Sequence, residues 1–419
     1  MSVQTDSATG RIHIIDAIRG LAILGILFAN IQSWSGYKYI PLEDITELPF
    51  YHLDTLFNQL HYWLVDGKFY AIFSMLFGAG FGIQYLKNQE NEAPFLRKYR
   101  RRLGFLLLFG VAHALLWSGD ILTLYALLAF VLVMLRGTPY EWLLPLALVL
   151  LCFFALPQVL VLSFGETRAI EPVLAHKTYA DMAPQVLTES LGAGSWSDVF
   201  ATNLHNLYWR WLDFLPNGRI SRVLGFFVLG YYLSRSGFFV NTIYSRRRLL
   251  LYLLLGVVAT AVSRHMGTNI SRWAVSGADV MMKMVLVTGQ VFLAMAYMGL
   301  LAQVFRHGWG ETLLYPLTLV GRMAFTSYLL QSVIGVTLFY GVGFGLWGTL
   351  GLAQLWVLAL CIYASQVLFC SIWLRYFKQG PVEWFWACLT AGRFRSNLRT
   401  LYSGRSCHRS SIDVILCAV

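Results

Sequence analysis

The sequence predicts an all-α fold: a polytopic membrane helix bundle of about ten transmembrane helices with both termini cytoplasmic. Composition, long apolar runs and the placement of Lys and Arg each point to this fold. Of the 419 residues, 13% are charged and 57% are hydrophobic, whereas a soluble domain is about 25% charged. This composition excludes an ordinary soluble protein, and its hydrophobicity excludes a disordered one.

Apolar runs define the individual spans, because a helix needs about 20 apolar residues to cross a bilayer. In the first half of the chain they predict spans at 17–34, 62–86, 103–118, 120–135 and 141–164. In the second half they predict spans at 221–238, 248–263, 279–305, 313–340 and 351–377. The third and fourth spans are separated only by a short turn, so we expect a tight helical hairpin there.

The positive charges set the predicted orientation, because cytoplasmic loops of membrane proteins collect Lys and Arg. Basic clusters follow the second span, the sixth span and the tenth span, whereas residues 35–61 contain one Lys and several acidic side chains. With ten spans, all three clusters fall on one side. The same rule accounts for the net charge of +11, and we expect no nucleic-acid partner.

Four segments follow from this arrangement. We expect an N-terminal membrane half at 1–164, a long extracytoplasmic segment with interfacial helices at 165–220, and a C-terminal membrane half at 221–392. Tryptophan and tyrosine in the extracytoplasmic segment favour helices that lie at the membrane surface. The last stretch, 393–419, is predicted to be a cytoplasmic tail without regular structure.

The first span opens with two ionisable residues and ends with an amide. Asp16 and Arg19 are spaced to pair on one helix face, and Asn30 lies near the other end of the span. Ionisable groups inside a membrane are costly and are therefore candidates for function. We interpret these three residues as substrate-binding; the alternative is that the Asp–Arg pair anchors the helix at the interface.

The sharpest candidate for catalysis lies in the predicted hairpin. His113 falls in the outer half of the third span and Asp120 at the following turn. Across a tight turn the two side chains could meet, and a carboxylate that orients an imidazole is a common general-base arrangement. A hydrogen-bonded packing histidine is the alternative interpretation of the same pattern.

The ninth span has a polar strip that includes Arg322, Ser327 and Gln331. We predict that these residues bind substrate, since an Arg in an apolar helix needs an anion; hydrogen bonding between helices is the alternative. Arg97 and Arg101, in the basic cluster after the second span, are candidates for binding a polyphosphate ligand. The rule of cytoplasmic positive charge explains that cluster equally well. No residue cluster indicates a metal site.

Several stretches carry a resemblance to the YeiB-like family of bacterial inner-membrane proteins. They are residues 15–30, 68–78, 113–125, 321–331 and 372–384, in family order over nearly the whole chain. More distantly, the Asp16, Arg19 and Gly20 opening with Asn30 is similar to transmembrane acyltransferases of the heparan-glucosamine acetyltransferase type. The resemblance implies a multi-pass protein of the bacterial inner membrane, with both its termini inside the cell.

The acyltransferase resemblance implies transfer of an acyl group from cytosolic acyl-CoA to an acceptor at or across the membrane. Acyl-CoA would be a co-substrate, with no cofactor held permanently. The acceptor would be a small molecule, a lipid or a glycan. The catalytic histidine of those enzymes could correspond to His52, His61 or His113, of which only His113 lies in a YeiB-like stretch.

Two further interpretations remain open. Intramembrane Arg and His residues in a ten-span protein also suit a transporter or a lipid-binding protein without catalysis. A non-catalytic component that acts through a partner is the third. The bilayer is a partner in every case, and a homo-oligomer is compatible with each.

Overall fold

The computed structural model describes residues 5–6, 11–153, 183–214, 218–266 and 277–399. Over these ranges the chain is helical apart from two minor exceptions. One is a short antiparallel pair of strands, β1 (Thr5–Asp6) and β2 (Arg11–Ile12), in which Thr5 pairs with Ile12. The other is a bridge between Phe377 and Leu398. The predicted all-α class is confirmed.

The described part of the chain up to residue 153 forms seven α-helices. They are α1 (His13–Trp34), α2 (Leu42–Glu47), α3 (Asp54–Leu60), α4 (Lys68–Lys87), α5 (Glu92–Leu116), α6 (Leu122–Met134) and α7 (Tyr140–Cys152). Short 3₁₀ or π turns occur at Tyr51–Leu53, His61–Val65, Gln89–Asn91 and Leu135–Gly137. The hairpin predicted around residues 118–120 is present between α5 and α6.

The rest of the described chain adds nine α-helices. They are α8 (Pro184–Leu187), α9 (Trp196–Phe214), α10 (Arg219–Arg235), α11 (Arg246–Met266), α12 (Gly277–Phe305), α13 (Gly310–Arg322), α14 (Ala324–Phe339), α15 (Leu352–Tyr376) and α16 (Pro381–Ala391). Short turns occur at Thr188–Gly192 and Thr242–Tyr244. The predicted tail, 393–419, is described up to residue 399; its remainder, like residues 154–182 of the fifth span and the long segment, lies outside the described ranges.

Five helical segments of the described chain are long and apolar enough to cross a membrane. They are Ile14–Trp34, Tyr51–Lys87, Arg246–His265, Met281–Phe305 and Leu352–Tyr376. The pair α13 and α14 makes a sixth if it counts as one span. The protein is therefore a multi-pass membrane protein. The helices at the predicted spans 103–118 and 221–238 are present as α5 and α10 but do not meet this criterion, and α6 and α7 are shorter apolar helices.

The predicted ninth span, 313–340, is not one continuous helix. It is broken between Arg322 and Ala324, where α13 and α14 are bent by 77°. The backbone N–H groups that begin α14 are satisfied by a side chain from a distant helix, described below. Such a long-range cap is not visible in the local apolar pattern, which predicts an uninterrupted helix.

Glycines allow the closest helix contacts in the bundle. A Cβ atom at Gly321 of α13 would lie 1.7 Å from the carbonyl oxygen of Asp16, and one at Gly20 of α1 would lie 1.9 Å from that of Leu317. Small residues let the backbones of membrane helices approach closely. Close packing then holds the helices together, because the hydrophobic effect does not drive association between helices in lipid. Helices α1 and α13 therefore touch at the point where Arg19 and Arg322 leave the helix surfaces.

Candidate functional site

The centre of the candidate site is a buried series of three hydrogen-bonded side chains. His113, at the end of α5, has its Nδ1 2.7 Å from Asp120 Oδ1 and its Nε2 2.8 Å from Ser332 Oγ on α14. All three side chains are buried. We call this series, Asp120–His113–Ser332, the histidine relay.

Asp120 is fixed by the backbone that follows it. Its Oδ1 accepts a hydrogen bond from Leu122 N at 3.0 Å and its Oδ2 accepts one from Thr123 N at 2.8 Å. Asp120 therefore caps the start of α6, where the helix dipole favours a negative charge. An ionised carboxylate only accepts hydrogen bonds, so it selects the imidazole tautomer with hydrogen on Nδ1. Nε2 is then the basic nitrogen, and Ser332 donates to it.

Helix α9, which is not part of the hairpin, hydrogen-bonds to the turn that joins His113 to Asp120. Asn203 accepts a hydrogen bond from Ser118 N at 3.1 Å and donates to the carbonyls of Leu115 at 3.0 Å and Leu116 at 2.9 Å. One side-chain amide thus satisfies two backbone carbonyl groups at the end of α5 and one backbone N–H group in the turn after it. The hairpin geometry that holds the relay depends on this contact.

A large polar cavity of about 620 Å³ lies where α1, α4, α5, α13 and α16 meet. We call it the basic cavity, because six cationic side chains and one carboxylate line it. The cationic residues are Arg19, Lys98, Arg102, Arg322, Lys378 and Arg395, and the carboxylate is Glu383. The guanidinium of Arg102 stacks on Trp386, 4.1 Å from the ring centroid. A surplus of cations at this density suits a ligand with several phosphate groups.

Glu383 connects the basic cavity to the helix of the relay. Its Oε1 accepts hydrogen bonds from Phe325 N at 2.8 Å and Thr326 N at 3.0 Å, at the start of α14, and its Oε2 accepts one from the Thr326 hydroxyl. Along α14, Ser332 is about 9 Å from Thr326 at 1.5 Å per residue. Thr326, which Glu383 of the basic cavity contacts, is thus within two helical turns of Ser332 in the relay.

A second, smaller cavity of about 130 Å³ lies near the other end of α1. We call it the small cavity; Asn30, Asp66, Arg210, Arg219 and Tyr328 contribute to its wall. Gly119 and Ile121, which flank Asp120, also line it. The Tyr328 ring lies 5.1 Å from the His113 ring, measured between centroids. The relay is therefore separated from this cavity by one side chain.

The two cavities lie towards opposite ends of the first span. Arg19 lines the basic cavity and Asn30 lines the small one. On a continuous helix these residues are separated by about 16 Å along the axis. Because α14 leads from the floor of the basic cavity to Ser332, the relay lies between the two cavities.

Comparison with known proteins identifies relatives over most of the chain. The family described as "Protein of unknown function (DUF418)" matches residues 233–393. "Uncharacterized protein YxaH" of Bacillus subtilis (strain 168) is 30% identical over 410 residues, 93% of this chain and 96% of the relative. "Uncharacterized protein YeiB" of Escherichia coli (strain K12) is 28% identical over 406 residues, 90% and 95% of the two chains.

The chain belongs to the YeiB/YxaH family. A third relative, "Uncharacterized 39.9 kDa protein in amylase 3'region" of Bacillus acidopullulyticus, is 26% identical over 393 residues, 91% of this chain and 94% of its own. No solved structure matches. The predicted resemblance to YeiB is confirmed, and these relatives are bacterial proteins. These names state no activity.

In this YeiB/YxaH family member, the residues predicted in the first span take up two positions. Arg19 Nη1 donates to Asp16 Oδ1 at 3.1 Å, so the expected ion pair is present. Asp16 is buried and Arg19 reaches the basic cavity. Asn30 belongs to the small cavity instead. The pair and the amide therefore cannot contact one ligand group together.

The residues of the polar strip predicted on the ninth span also take up two different positions. Arg322, at the end of α13, lines the basic cavity. Ser327 and Gln331 are buried against other helices: Gln331 Nε2 donates to Gln366 Oε1 at 3.0 Å, and Gln366 Nε2 donates to the Ser327 carbonyl at 2.9 Å. The Gln331 and Gln366 side chains thus hold α14 to α15, which is the inter-helix alternative left open by the sequence. Neither Ser327 nor Gln331 lines one of the two cavities.

The basic cluster contributes to the basic cavity through different residues from those predicted. Arg97 and Arg101 are exposed and do not line it, whereas Lys98 and Arg102 do. Ser332 was not among the predicted site residues, although it directly follows Gln331 in the polar strip. Among the described residues, no group of three or more His, Cys, Asp or Glu side chains could hold a metal ion.

Proposed function

We propose that this protein is a membrane acyltransferase in which His113 is the general base. The supporting observation is the histidine relay, a buried imidazole with both ring nitrogens hydrogen-bonded, close to two cavities that arginines line. The donor would be acyl-CoA with its phosphates in the basic cavity, and the acceptor would approach from the small cavity. In this donor site, the phosphates would be bound by Lys98, Arg102 and Arg322 and not by the predicted Arg97 and Arg101.

The proposed reaction follows from the bonding state of the imidazole. The acceptor hydroxyl or amine takes the place of the Ser332 hydroxyl at Nε2 and loses its proton to that nitrogen as it attacks the thioester carbonyl. The carbon–sulfur bond breaks, and the leaving thiolate takes the proton from the imidazolium. The products are the acylated acceptor and free CoA. Asp120 stabilises the transient imidazolium, and such base catalysis contributes about 10²–10⁴-fold.

The proposed orientation places the basic cavity on the cytoplasmic side. Lys98 and Arg102 belong to the basic cluster at the start of α5, and such clusters remain in the cytoplasm. Donor CoA is cytosolic, so the cavity with the larger positive charge faces the compartment that supplies it. The small cavity would then open towards the extracytoplasmic side of the bacterial inner membrane.

The test is thiol release from acetyl-CoA and from palmitoyl-CoA by purified protein in nanodiscs of native lipid extract. We expect His113→Ala and Asp120→Asn to lower the rate by about 10²–10⁴-fold. His52 lies on an exposed turn, so His52→Ala is the matched control and should release thiol like the unmodified protein. Equal rates for His113→Ala and the unmodified protein would overturn the proposal.

The second candidate function is transport of an anion. The 77° break between α13 and α14 supports it, because carriers bind substrates at discontinuous helices and Arg322 lies at this break. The two functions differ in what happens to the donor. Accumulation of an intact organic anion inside liposomes, without thiol release, would favour transport over acyl transfer.

A further inference from the structure

The small cavity has buried hydrogen-bond donors on its wall. Arg210 Nε, Arg219 Nε and the Tyr70 hydroxyl are buried, and none of them has a hydrogen-bond partner among the described residues. Burying a polar group without a partner costs about 1–3 kcal/mol, and more if it is charged. Three such groups at the wall of one cavity indicate a ligand that supplies acceptor oxygens.

Aromatic rings hold the two guanidinium groups in place. Arg219 lies 5.2 Å from the Tyr70 ring centroid and 5.7 Å from that of Phe214, and Arg210 lies 5.3 Å from the same Phe214 ring. Arg210 Nη2 also donates to the Gly119 carbonyl at 3.2 Å. Contact with ring faces stabilises a cation without removing its charge. Both arginines are therefore positioned in advance and keep donors for a ligand.

The carboxylate on this wall is already engaged. Asp66 Oδ1 lies 3.2 Å from His61 Nε2, and the Asp66 side chain is 51% exposed. His61 is held in turn by Gln32, whose Nε2 is 3.1 Å from His61 Nδ1. Asp66 thus pairs with His61, and the two arginines give the described wall of this cavity a surplus of positive charge.

We propose that the small cavity binds an oxyanion, a phosphate or carboxylate group, on the acceptor molecule. This inference rests on the proposed acyl transfer and specifies its acceptor as an anionic compound. A volume of about 130 Å³ is well above the roughly 10–15 Å³ that one ordered water needs. It therefore accommodates the anionic group, and the hydroxyl or amine to be acylated reaches past Tyr328 towards His113.

The decisive experiment measures anion binding without turnover, so it uses His113→Ala protein in phosphatidylcholine nanodiscs. Inorganic phosphate and acetate are titrated by calorimetry and by the shift of the thermal unfolding midpoint. We expect saturable binding of at least one of them. Arg219→Gln should weaken it about tenfold or more, since a hydrogen bond to a charged group contributes about 1.5–3 kcal/mol.

Two further variants separate charge recognition from a folding defect. Arg219→Lys keeps the charge but loses the planar fork, so its affinity should fall between those of the parent protein and Arg219→Gln. Arg264 also stacks on an aromatic ring, 5.0 Å from the centroid of Tyr62, but does not line the small cavity. Arg264→Gln should therefore bind like the parent protein.

Adding phosphatidylglycerol to the nanodiscs distinguishes the two sources of a phosphate group. Lower apparent affinity for inorganic phosphate with that lipid would assign the cavity to a lipid headgroup, and unchanged affinity would assign it to a soluble anion. No binding of either anion, or equal binding by Arg219→Gln, would overturn the inference. Because binding needs no chemistry, it can succeed where thiol release fails, and the reverse also holds.

Discussion

The basic cavity and the small cavity are both lined by half-buried arginines, but these are supported differently in the two cavities. The basic cavity is about 620 Å³, and amides such as Gln84 share its wall with six cationic side chains. The small cavity is about 130 Å³ and has two arginines set against aromatic rings. The first suits a large ligand with several charges, and the second suits one anionic group.

Arg102 and Arg219 show how the support of an arginine can differ. In the basic cavity, Arg102 donates to Gln84 Oε1 at 3.3 Å as well as stacking on Trp386. In the small cavity, ring faces support Arg219, and its buried Nε has no hydrogen-bond partner among the described residues. A donor left over after folding is the clearer sign of a missing ligand, because a satisfied one is explained by structure alone.

The largest effect on ligand binding is expected from removing one cation of the basic cavity. Arg102→Ala should weaken acetyl-CoA binding about 10–100-fold, because it removes a charged donor worth about 1.5–3 kcal/mol. Calorimetry in nanodiscs measures it. Arg101 is the adjacent exposed residue, and Arg101→Ala should change the affinity little. Comparable losses in both variants would mean that general surface charge, and not the cavity, attracts CoA.

The contact between α1 and α13 gives the next effect. Gly321→Ala places a methyl group 1.7 Å from the Asp16 carbonyl oxygen, so it should lower the free energy of unfolding by about 1–3 kcal/mol. Gly104 on α5 has nothing within 4 Å of its Cβ position, and Gly104→Ala should stabilise the protein by about 0.5–1 kcal/mol. Thermal unfolding in nanodiscs compares the two. A Gly321→Ala protein as stable as the parent would show that the helices separate easily here.

A smaller effect is expected at the serine of the relay. Ser332→Ala removes one hydrogen bond to His113, worth about 1 kcal/mol, and should slow thiol release about fivefold. This outcome fits a serine that holds the imidazole in position until the acceptor displaces its hydroxyl from Nε2. A loss as large as that of His113→Ala, in a protein that still binds acetyl-CoA, would instead make Ser332 the nucleophile.

The smallest effect concerns the pH dependence of stability at Glu383. Burial raises the pKa of Glu383 above its ordinary value, and hydrogen bonds from Thr326 partly offset this. Folding therefore favours the protonated acid, and its contribution is lost as pH rises from about 4.3 through the folded pKa. Relative to Glu383→Gln, the parent protein should lose stability as pH increases over this range. The unfolding midpoints of both proteins at several pH values measure this, and a gain would contradict it.

Local patterns were enough to predict most helices and two side-chain contacts. The apolar runs give the last span as 351–377, and the structure has Leu352–Tyr376. Helical spacing predicts the Asp16–Arg19 pair, and a tight hairpin predicts the meeting of His113 and Asp120; both contacts are present. Each depends on residues close together in sequence, whose geometry follows from one helix or one turn. The roles assigned to these residues stay predictions.

Contacts between distant segments could not be predicted in this way. The break of the ninth span depends on Glu383, which caps α14 from 57 residues away at Thr326 N. Lys98 and Arg102 line the basic cavity, whereas Arg97 and Arg101 do not. This difference depends on which face of α5 packs inward. Buried Tyr99 and Leu103 mark that face, so the periodicity of α5 contained a signal that the sequence interpretation did not use.

The sequence distance within the relay also sets the order in which it forms. His113 and Ser332 are 219 residues apart, and chains grow at about 5–20 residues per second, so roughly 10–45 s pass between their syntheses. During that interval Asp120 is the only relay partner that His113 has, because Ser332 has not yet been made. The site is therefore completed late in biosynthesis, when α14 is made, and a chain whose translation stops before residue 332 lacks it.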